Sequence, residues 1–169
     1  MLKVGLLGAG RIAGVHATAI TSHPQSELTA VSDFYPEAAE KLAAQYGAVA
    51  RSTDEIIADP EIEAVLIATS TDTHSDLMEA ATRAGKAVLC EKPVDLSLER
   101  ARACQNVVDA TGCPVMIGFN RRFDTNFGAL KQALTAGAIG KAELLSITSL
   151  TPPHRLSHIS KFLAGFSAI

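Results

Sequence analysis

Short hydrophobic runs alternate along the chain with more polar segments of helical composition. The runs predict strands at Leu2–Leu7, Glu27–Ser32, Val49–Ala50, Ala64–Ala68, Ala87–Cys90 and Val115–Gly118. The segments between and after them predict helices at Arg11–Thr21, Pro36–Tyr46, His74–Ala84, Leu98–Ala110 and Asn126–Ala136, with a further short helix capped by Thr53. Such alternation indicates a parallel sheet with helices on both faces, and right-handed crossovers make it doubly wound. The expected fold class is α/β. Beyond the last helix, Lys141–Leu150 predicts one more strand.

Composition narrows the class of protein. The chain has 169 residues, of which 47% are apolar and 20% are charged, as in globular proteins. Its net charge of −3 argues against a nucleic-acid partner. The longest run without a charged residue, Ile12–Ser26, contains two histidines and a proline, so no membrane span or membrane partner is expected. Met1 leads directly into a predicted strand, so no signal peptide is expected. Three cysteines without metal-ligand spacing predict reduced thiols, a cytoplasmic location and no metal site.

A glycine-rich turn joins the first predicted strand to the first helix. It reads Gly8-Ala9-Gly10-Arg11-Ile12-Ala13, and its backbone N–H groups at the helix N-terminus suit a pyrophosphate. Asp33 ends the next strand, where a carboxylate can bind the adenosine ribose hydroxyls. That carboxylate repels a 2′-phosphate and no arginine follows it, which favours NAD over NADP. A turn that merely needs a permissive backbone is the alternative explanation.

Three later segments also follow predicted strands, at the edge where open α/β sheets bind ligands. In Cys90-Glu91-Lys92-Pro93, Lys92 either donates to a reacting oxygen or belongs to an ordinary solvated turn. In Thr69–His74, the hydroxyl side chains suit a cofactor, and Asp72 or Thr73 is expected to cap the next helix. His74 is more often a structural hydrogen-bonding residue than a catalyst. In Gly118–Asp124, one arginine is expected to contact the cofactor or substrate, and for Arg122 a surface pair with an aspartate is an alternative of at least equal weight.

Together these segments resemble the glucose–fructose oxidoreductase/inositol dehydrogenase (Gfo/Idh/MocA) family, and Glu91-Lys92-Pro93 is the most specific match. Within the family, Val88–Asp95 and Gly118–Asp124 are most similar to the bacterial myo-inositol 2-dehydrogenase branch. The resemblance implies a Rossmann NAD(P)-binding domain and NAD-dependent oxidation of a ring hydroxyl of a polyol or sugar. It implies that Lys92 is catalytic and that Thr69, His74 and Asn120 line the nicotinamide pocket. The expected cofactor-binding set is Gly8, Ala9, Gly10, Arg11, Ile12, Asp33, Thr69, Ser70, Thr71, His74, Glu91, Lys92, Asn120 and Arg121.

The chain departs from the family pattern after residue 149. Family members are about twice as long, and the resemblance implies a second α+β domain that holds the substrate and contributes an Asp and a His. That domain usually drives homo-oligomerisation in the family, and the sequence leaves open whether this chain self-associates. We therefore expect a dinucleotide-binding domain at 1–120, the start of a truncated second domain at 121–149, and an aberrant tail at 150–169. His154 and His158 do not match the family's histidine in context. A one-base frameshift near codon 150 is one hypothesis for the tail.

Three functional hypotheses follow from this comparison. The first is an oxidoreductase whose cofactor-binding part is this chain, largely inactive in isolation because cooperating catalytic groups are missing. The second is a binding module that holds NAD without catalysis. The third is an inactive truncation product, in which an unpaired strand edge would favour association.

Overall fold

The computed structural model describes residues 1–148, which contain one sheet of six strands. The strands are β1 (Leu2–Leu7), β2 (Ser26–Ser32), β3 (Val49–Ala50), β4 (Ala64–Ile67), β5 (Ala87–Cys90) and β6 (Val115–Ile117). The helices are α1 (Arg11–Ser22), α2 (Pro36–Tyr46), α3 (Thr53–Ala58), α4 (His74–Arg83), α5 (Leu98–Thr111) and α6 (Thr125–Thr135), with 3₁₀ turns at Thr71–Thr73 and Asn120–Phe123. The predicted α/β, doubly wound Rossmann fold is confirmed.

The strand order β3-β2-β1-β4-β5-β6 determines where a ligand can bind. Every neighbouring pair is parallel, so all six carboxyl ends lie at the same edge of the sheet. The chain first moves outward from β1 to β3 and then returns through α3 to place β4 beside β1. At such a reversal the loops after the two central strands diverge to opposite faces and leave a crevice between them.

The core lies on both faces of this sheet. On one face, α1 and α2 cover the sheet, and the buried side chains include Leu6, Val31, Leu42 and Leu66. On the other face, α3, α4 and α5 cover it, and the buried side chains include Leu7, Ile56, Val65, Ile67 and Met78. Burial on both faces explains why the central strands are continuous hydrophobic runs without alternation. Among residues 1–148, no helix is both long and apolar enough to cross a membrane.

The ends of the elements differ from the sequence predictions at a few positions. Most boundaries agree within one or two residues, but the short helix α3 is capped by Ser52 and not by Thr53. The Ser52 hydroxyl oxygen accepts the Glu55 N–H at 3.3 Å, and the Glu55 carboxylate accepts the Ser52 N–H at 2.9 Å. This reciprocal capping box satisfies two backbone donors at once, which explains why the helix begins after Ser52.

The chain divides into two compact units, Met1–Asn120 and the part from Arg121 onward. In the second unit, the Asp124 carboxylate caps α6 by accepting the N–H groups of Asn126 and Phe127 at 2.9 and 3.2 Å. The strand predicted at Lys141–Leu150 is wrong over residues 141–148, which form no strand and pair with no strand within the described residues 1–148. The tail predicted at 150–169 lies outside the described residues.

Candidate functional site

The turn after β1 brings the backbone of two strands into close approach at Gly8. Its φ is +102°, a conformation that L side chains rarely adopt. A Cβ at this position would lie only 2.5 Å from the carbonyl oxygen of Ala68, which directly follows β4. The Gly8 N–H donates to the carbonyl oxygen of Ser32 at 2.7 Å, so the turn is also joined to β2. Glycine is therefore required here for the packing of the crevice.

The second glycine of the motif leaves open the space in front of α1. Gly10 is the N-cap residue and provides no side-chain cap, so the first-turn N–H groups of α1 have no partner within the helix. A Cβ added at Gly10 would meet no protein atom within 4 Å. Uncapped donors, a positive helix end and room for close approach together fit a dinucleotide pyrophosphate. Arg11 and Ile12, which the sequence assigned to this site, form the exposed start of the helix.

Asp33 follows β2 and is held against the glycine-rich turn. One oxygen of its carboxylate accepts the Ala9 N–H at 2.6 Å, and the other accepts the Tyr35 N–H at 2.9 Å. A carboxylate has about four lone-pair positions, so both oxygens can still accept from hydroxyl groups. The contacts thus orient Asp33 and leave it able to bind a ribose diol.

A groove of about 360 Å³ lies beside Asp33, between the start of α2 and the loop after β3. Its lining includes the carboxylate residues Asp33, Glu40 and Glu55, which make it unfavourable for a phosphate. Arg51 also lines the groove, although no arginine follows Asp33 directly in the sequence. The guanidinium of Arg51 donates to the carboxylate of Asp59 at 2.6 Å, so this arginine is already paired.

The loop after β4 is internally hydrogen-bonded. The hydroxyls of Thr69 and Thr73 lie 2.7 Å apart, and Thr73 also donates to the carbonyl oxygen of Ser70 at 2.8 Å. Thr73, one of the two predicted caps, occupies the N-cap position of α4, whereas Asp72 does not, and the Thr73 side chain makes no capping hydrogen bond. The hydroxyls of Thr69 and Thr73 are thus used within the loop.

His74 is buried at the start of α4, with 2% of its surface exposed. Its Nδ1 lies 2.8 Å from the carbonyl oxygen of Pro93, and its Nε2 lies 3.2 Å from that of Thr69. Carbonyl oxygens only accept, so each ring nitrogen faces a hydrogen-bond acceptor of the backbone. In this arrangement His74 links the loop after β4 to the loop after β5, and it directs neither nitrogen at a ligand.

The Glu91-Lys92-Pro93 segment follows β5, and its two charged side chains differ in exposure to solvent. Glu91 is largely enclosed: its carboxylate lies 2.8 Å from the Nε2 atom of His16, and only 17% of its side chain is exposed. Lys92 is exposed, and no carboxylate among residues 1–148 lies within ion-pair distance of its ammonium. The segment thus presents a cation from a loop that is fixed at its base.

Asn120 and Arg121 stand at the boundary between the two compact units. Asn120 follows β6 and donates its backbone N–H to the carbonyl oxygen of Gly118 at 2.9 Å. Arg121 belongs to the second unit, where its guanidinium lies 5.8 Å from the centre of the Phe127 ring. The Arg121 guanidinium lies 3.8 Å from the Asp124 carboxylate, so the pair with Asp124 that the sequence suggested for Arg122 is formed by Arg121.

Contacts connect most of the predicted site in one continuous series. They run from Asp33 to the glycine-rich turn, across to the loop after β4, through His74 to Pro93, and on to Glu91. Sequence reasoning missed His16, which reaches Glu91 from the second turn of α1. It also missed Arg51, because β3 is placed beside β2 only by the strand order. No local sequence signal marks either contact.

Comparison with protein families gives one match that covers most of the chain. Residues 2–119 match the model of the GFO_IDH_MocA family, described as an oxidoreductase family with an NAD-binding Rossmann fold. The matched range contains all of the predicted site except Asn120 and Arg121.

Individual relatives are similar over the same region. The chain is 51% identical over 151 residues to an inositol 2-dehydrogenase of Rhizobium meliloti, an alignment that covers 89% of this chain and 46% of the relative. It is 37% identical over 161 residues to a myo-inositol 2-dehydrogenase of Thermotoga maritima, covering 94% and 48%. A crystal structure of scyllo-inositol dehydrogenase from Lactobacillus casei with bound NAD(H) and scyllo-inositol superposes with a TM-score of 0.84 at 30% identity, covering 96% and 49%. The chain therefore spans about half the length of the curated relatives it matches.

Proposed function

The chain belongs to the GFO_IDH_MocA oxidoreductase family, and on this basis we propose that it is the NAD-binding part of an inositol-type dehydrogenase. The proposed reaction is the oxidation of a ring hydroxyl of an inositol or a related polyol. The observation that carries the proposal is the series of contacts that begins at Asp33 and reaches Pro93, because it supports one site at the edge of the sheet where both Asp33 and Lys92 lie. The names of the relatives support the substrate class.

Cofactor binding is assigned to the first half of the sheet. NAD, when bound, supplies the acceptor for the hydride. The uncapped N-terminus of α1 binds the pyrophosphate with its backbone N–H groups, and the space at Gly10 allows the phosphates to approach. Asp33 accepts hydrogen bonds from the adenosine ribose hydroxyls. The carboxylates around the groove beside Asp33 support a preference for NAD over NADP.

Lys92 is the proposed catalytic residue. Its side chain is exposed beyond the carboxyl end of β5, and its ammonium has no ion-pair partner among residues 1–148. From this position Nζ would donate a hydrogen bond to the oxygen of the reacting hydroxyl and stabilise the negative charge that develops there. The hydroxyl proton would pass to the Asp and His that the family resemblance implies in the second domain, and the hydride would pass to the bound NAD. Thr69 and Asn120 are proposed to bound the nicotinamide pocket on either side of this segment.

The test is a titration calorimetry experiment on the 169-residue chain with NAD, NADP and myo-inositol present or absent. We expect saturable NAD binding, with NADP weaker by about tenfold, which corresponds to about 1.4 kcal/mol. Asp33→Asn should weaken NAD binding, whereas Asp54→Asn, on the exposed side of α3, should leave it unchanged. A wild-type chain that binds neither nucleotide would refute the proposal.

Catalysis by the 169 residues alone is a separate prediction. The chain spans about half of each relative, and loss of cooperating catalytic groups removes orders of magnitude in rate. We therefore expect little formation of NADH from NAD and inositol by the pure chain. Binding without turnover would also agree with the alternative of a non-catalytic NAD-binding module. Restoring a complete second domain by fusion to the corresponding half of a relative would separate the two, because only a dehydrogenase domain gains turnover that depends on Lys92.

The proposal also covers the cellular location and the assembly of the protein. Cys90, Cys104 and Cys113 are free thiols, which supports a reducing cytoplasmic location. Self-association, which the family resemblance implies, is a prediction that sedimentation analysis of the pure chain would check.

A further inference from the structure

We propose that His16 is a positioning residue: it holds the Glu91 carboxylate and thereby sets the loop that carries Lys92. This inference rests on the proposed function, in which Lys92 acts on the substrate. The His16 Nε2 atom lies 2.8 Å from Glu91 Oε1, although the two residues are 75 positions apart in the chain. Their side chains are 20% and 17% exposed, so water competes only weakly for this contact.

Glu91 is well suited to transmit this contact because it is constrained from several sides. Its backbone N–H donates to the carbonyl oxygen of Ile67 at 2.9 Å, which fixes the start of the loop to β4. Its second carboxylate oxygen lies 3.3 Å from the backbone N–H of Lys92. A Cβ at Gly118 would lie 3.3 Å from the carboxyl carbon and from both oxygens, so glycine at this position lets the backbone after β6 pass close to the carboxylate. One carboxylate therefore contacts both α1, through His16, and the backbone of Lys92.

Two parts of α1 thus have different roles. Its N-terminus faces the proposed pyrophosphate site, whereas its second turn, through His16, contacts the loop after β5. Asp33 lies at the end of β2, on one side of β1, and Glu91 follows β5, on the other side of β4. A dinucleotide whose adenosine ribose is bound at Asp33 extends across the reversal point toward Glu91. Loss of the His16 contact should therefore affect the nicotinamide half of the ligand more than the adenosine half.

The experiment compares His16→Leu with His16→Gln and uses His23→Leu as the matched control. Glutamine places an amide N–H close to the position of Nε2, so it retains a donor to Glu91. His23 is exposed just after the same helix and lies outside the site. For each variant, calorimetry measures the dissociation constants of NADH and of ADP, which contains only the adenosine half. Hydrogen exchange measures the protection of the Lys92 amide without any ligand.

We expect His16→Leu to weaken NADH binding by about tenfold, as for loss of a charge-assisted hydrogen bond, and to change ADP binding by less than about twofold. His16→Gln should restore NADH binding to within about threefold of the wild type, and His23→Leu should match the wild type. Exchange of the Lys92 amide should accelerate in His16→Leu only. In Glu91→Gln, adding His16→Leu should have little further effect, because the two residues act through one contact.

Three results would overturn the inference. Equal losses of NADH and ADP affinity would indicate general damage to the domain. A glutamine variant as weak as the leucine variant would show that the donor at Nε2 is unimportant. Unchanged Lys92 exchange in His16→Leu would show that the contact does not hold the loop. If the wild-type chain fails to bind NADH, the proposed function fails, and the exchange measurement still decides whether His16 positions Lys92.

Discussion

Replacing Gly8 with alanine should lower the free energy of unfolding of the domain for two reasons, both of which arise from the added Cβ. The first is conformational. With φ at +102°, an alanine at this position adopts a backbone conformation that costs about 1–2 kcal/mol for a residue with a Cβ. This cost would apply at any left-handed position and does not depend on the surroundings.

The second cost comes from the close approach of β4. The new Cβ would lie 2.5 Å from the Ala68 oxygen, 2.7 Å from the Ala68 carbonyl carbon and 2.9 Å from the Thr69 nitrogen, all of them backbone atoms. Ordinary contact begins near 3.4 Å, so the two loops must separate. The Ala68 N–H donates to the Leu7 carbonyl oxygen at 2.7 Å and holds the two loops together, and the Gly8 N–H donates to the Ser32 carbonyl oxygen at 2.7 Å and holds the turn to β2. Weakening each of these hydrogen bonds costs about 1 kcal/mol. The combined destabilisation is about 3–4 kcal/mol.

Urea unfolding followed by far-ultraviolet circular dichroism measures this loss, with Gly47→Ala as the matched control. Gly47 ends α2 with φ at +72°, but a Cβ there would meet nothing within 4 Å. Gly47→Ala should therefore cost only the conformational part, about 1 kcal/mol. If the two alanine variants have the same unfolding free energy within about 0.5 kcal/mol, the close approach of β1 and β4 contributes nothing and the reasoning is refuted.

Gly10→Ala should leave the unfolding free energy within about 0.5 kcal/mol of the wild type, because the new Cβ meets no protein atom. It should weaken NAD binding by at least about tenfold, because the Cβ occupies the space proposed for the pyrophosphate. An unchanged affinity in calorimetry would contradict this prediction. The hydrogen bond from the Glu61 backbone N–H and then that from the Arg51 guanidinium lower the pKa of Asp59 in the folded protein. The ionised Asp59 carboxylate therefore stabilises the fold above the ordinary aspartate pKa, and this stabilisation is lost as pH falls through the lower pKa of the folded state. Asp59→Asn should flatten the acid limb of the unfolding profile, and an unaltered limb would count against it. Burial raises the pKa of the Cys90 thiol to about 12, so a thiol reagent should modify only the partly exposed Cys113 rapidly. A second fast-reacting thiol in the folded protein would show that the core opens.

Much of the fold follows directly from local features of the chain. Hydrophobic runs bounded by glycine and proline were sufficient to predict the strands and helices, because each of these signals acts within a few residues. The glycine-rich turn and Asp33 were recognised for the same reason: the first marks a strand-to-helix turn, and the second ends the next strand at a characteristic spacing. The strand predicted at Lys141–Leu150 was wrong over residues 141–148, because a strand needs a partner and hydrophobicity alone does not provide one.

The tertiary structure alone decided which of these residues touch. Lys86 carries a charge that usually faces water, yet it is 5% exposed and donates to the carbonyl oxygen of Ile62 at 2.7 Å. The sequence made His74 a candidate for the nicotinamide pocket, but in the structure it is buried and both of its ring nitrogens face backbone carbonyl oxygens. His16 met Glu91 only because the sheet places β5 beside β4, within reach of α1. Local sequence determines the elements and the backbone conformation at their ends. Contacts between distant side chains depend on the strand order and on which face each helix covers, and these arise from the packing of the whole domain.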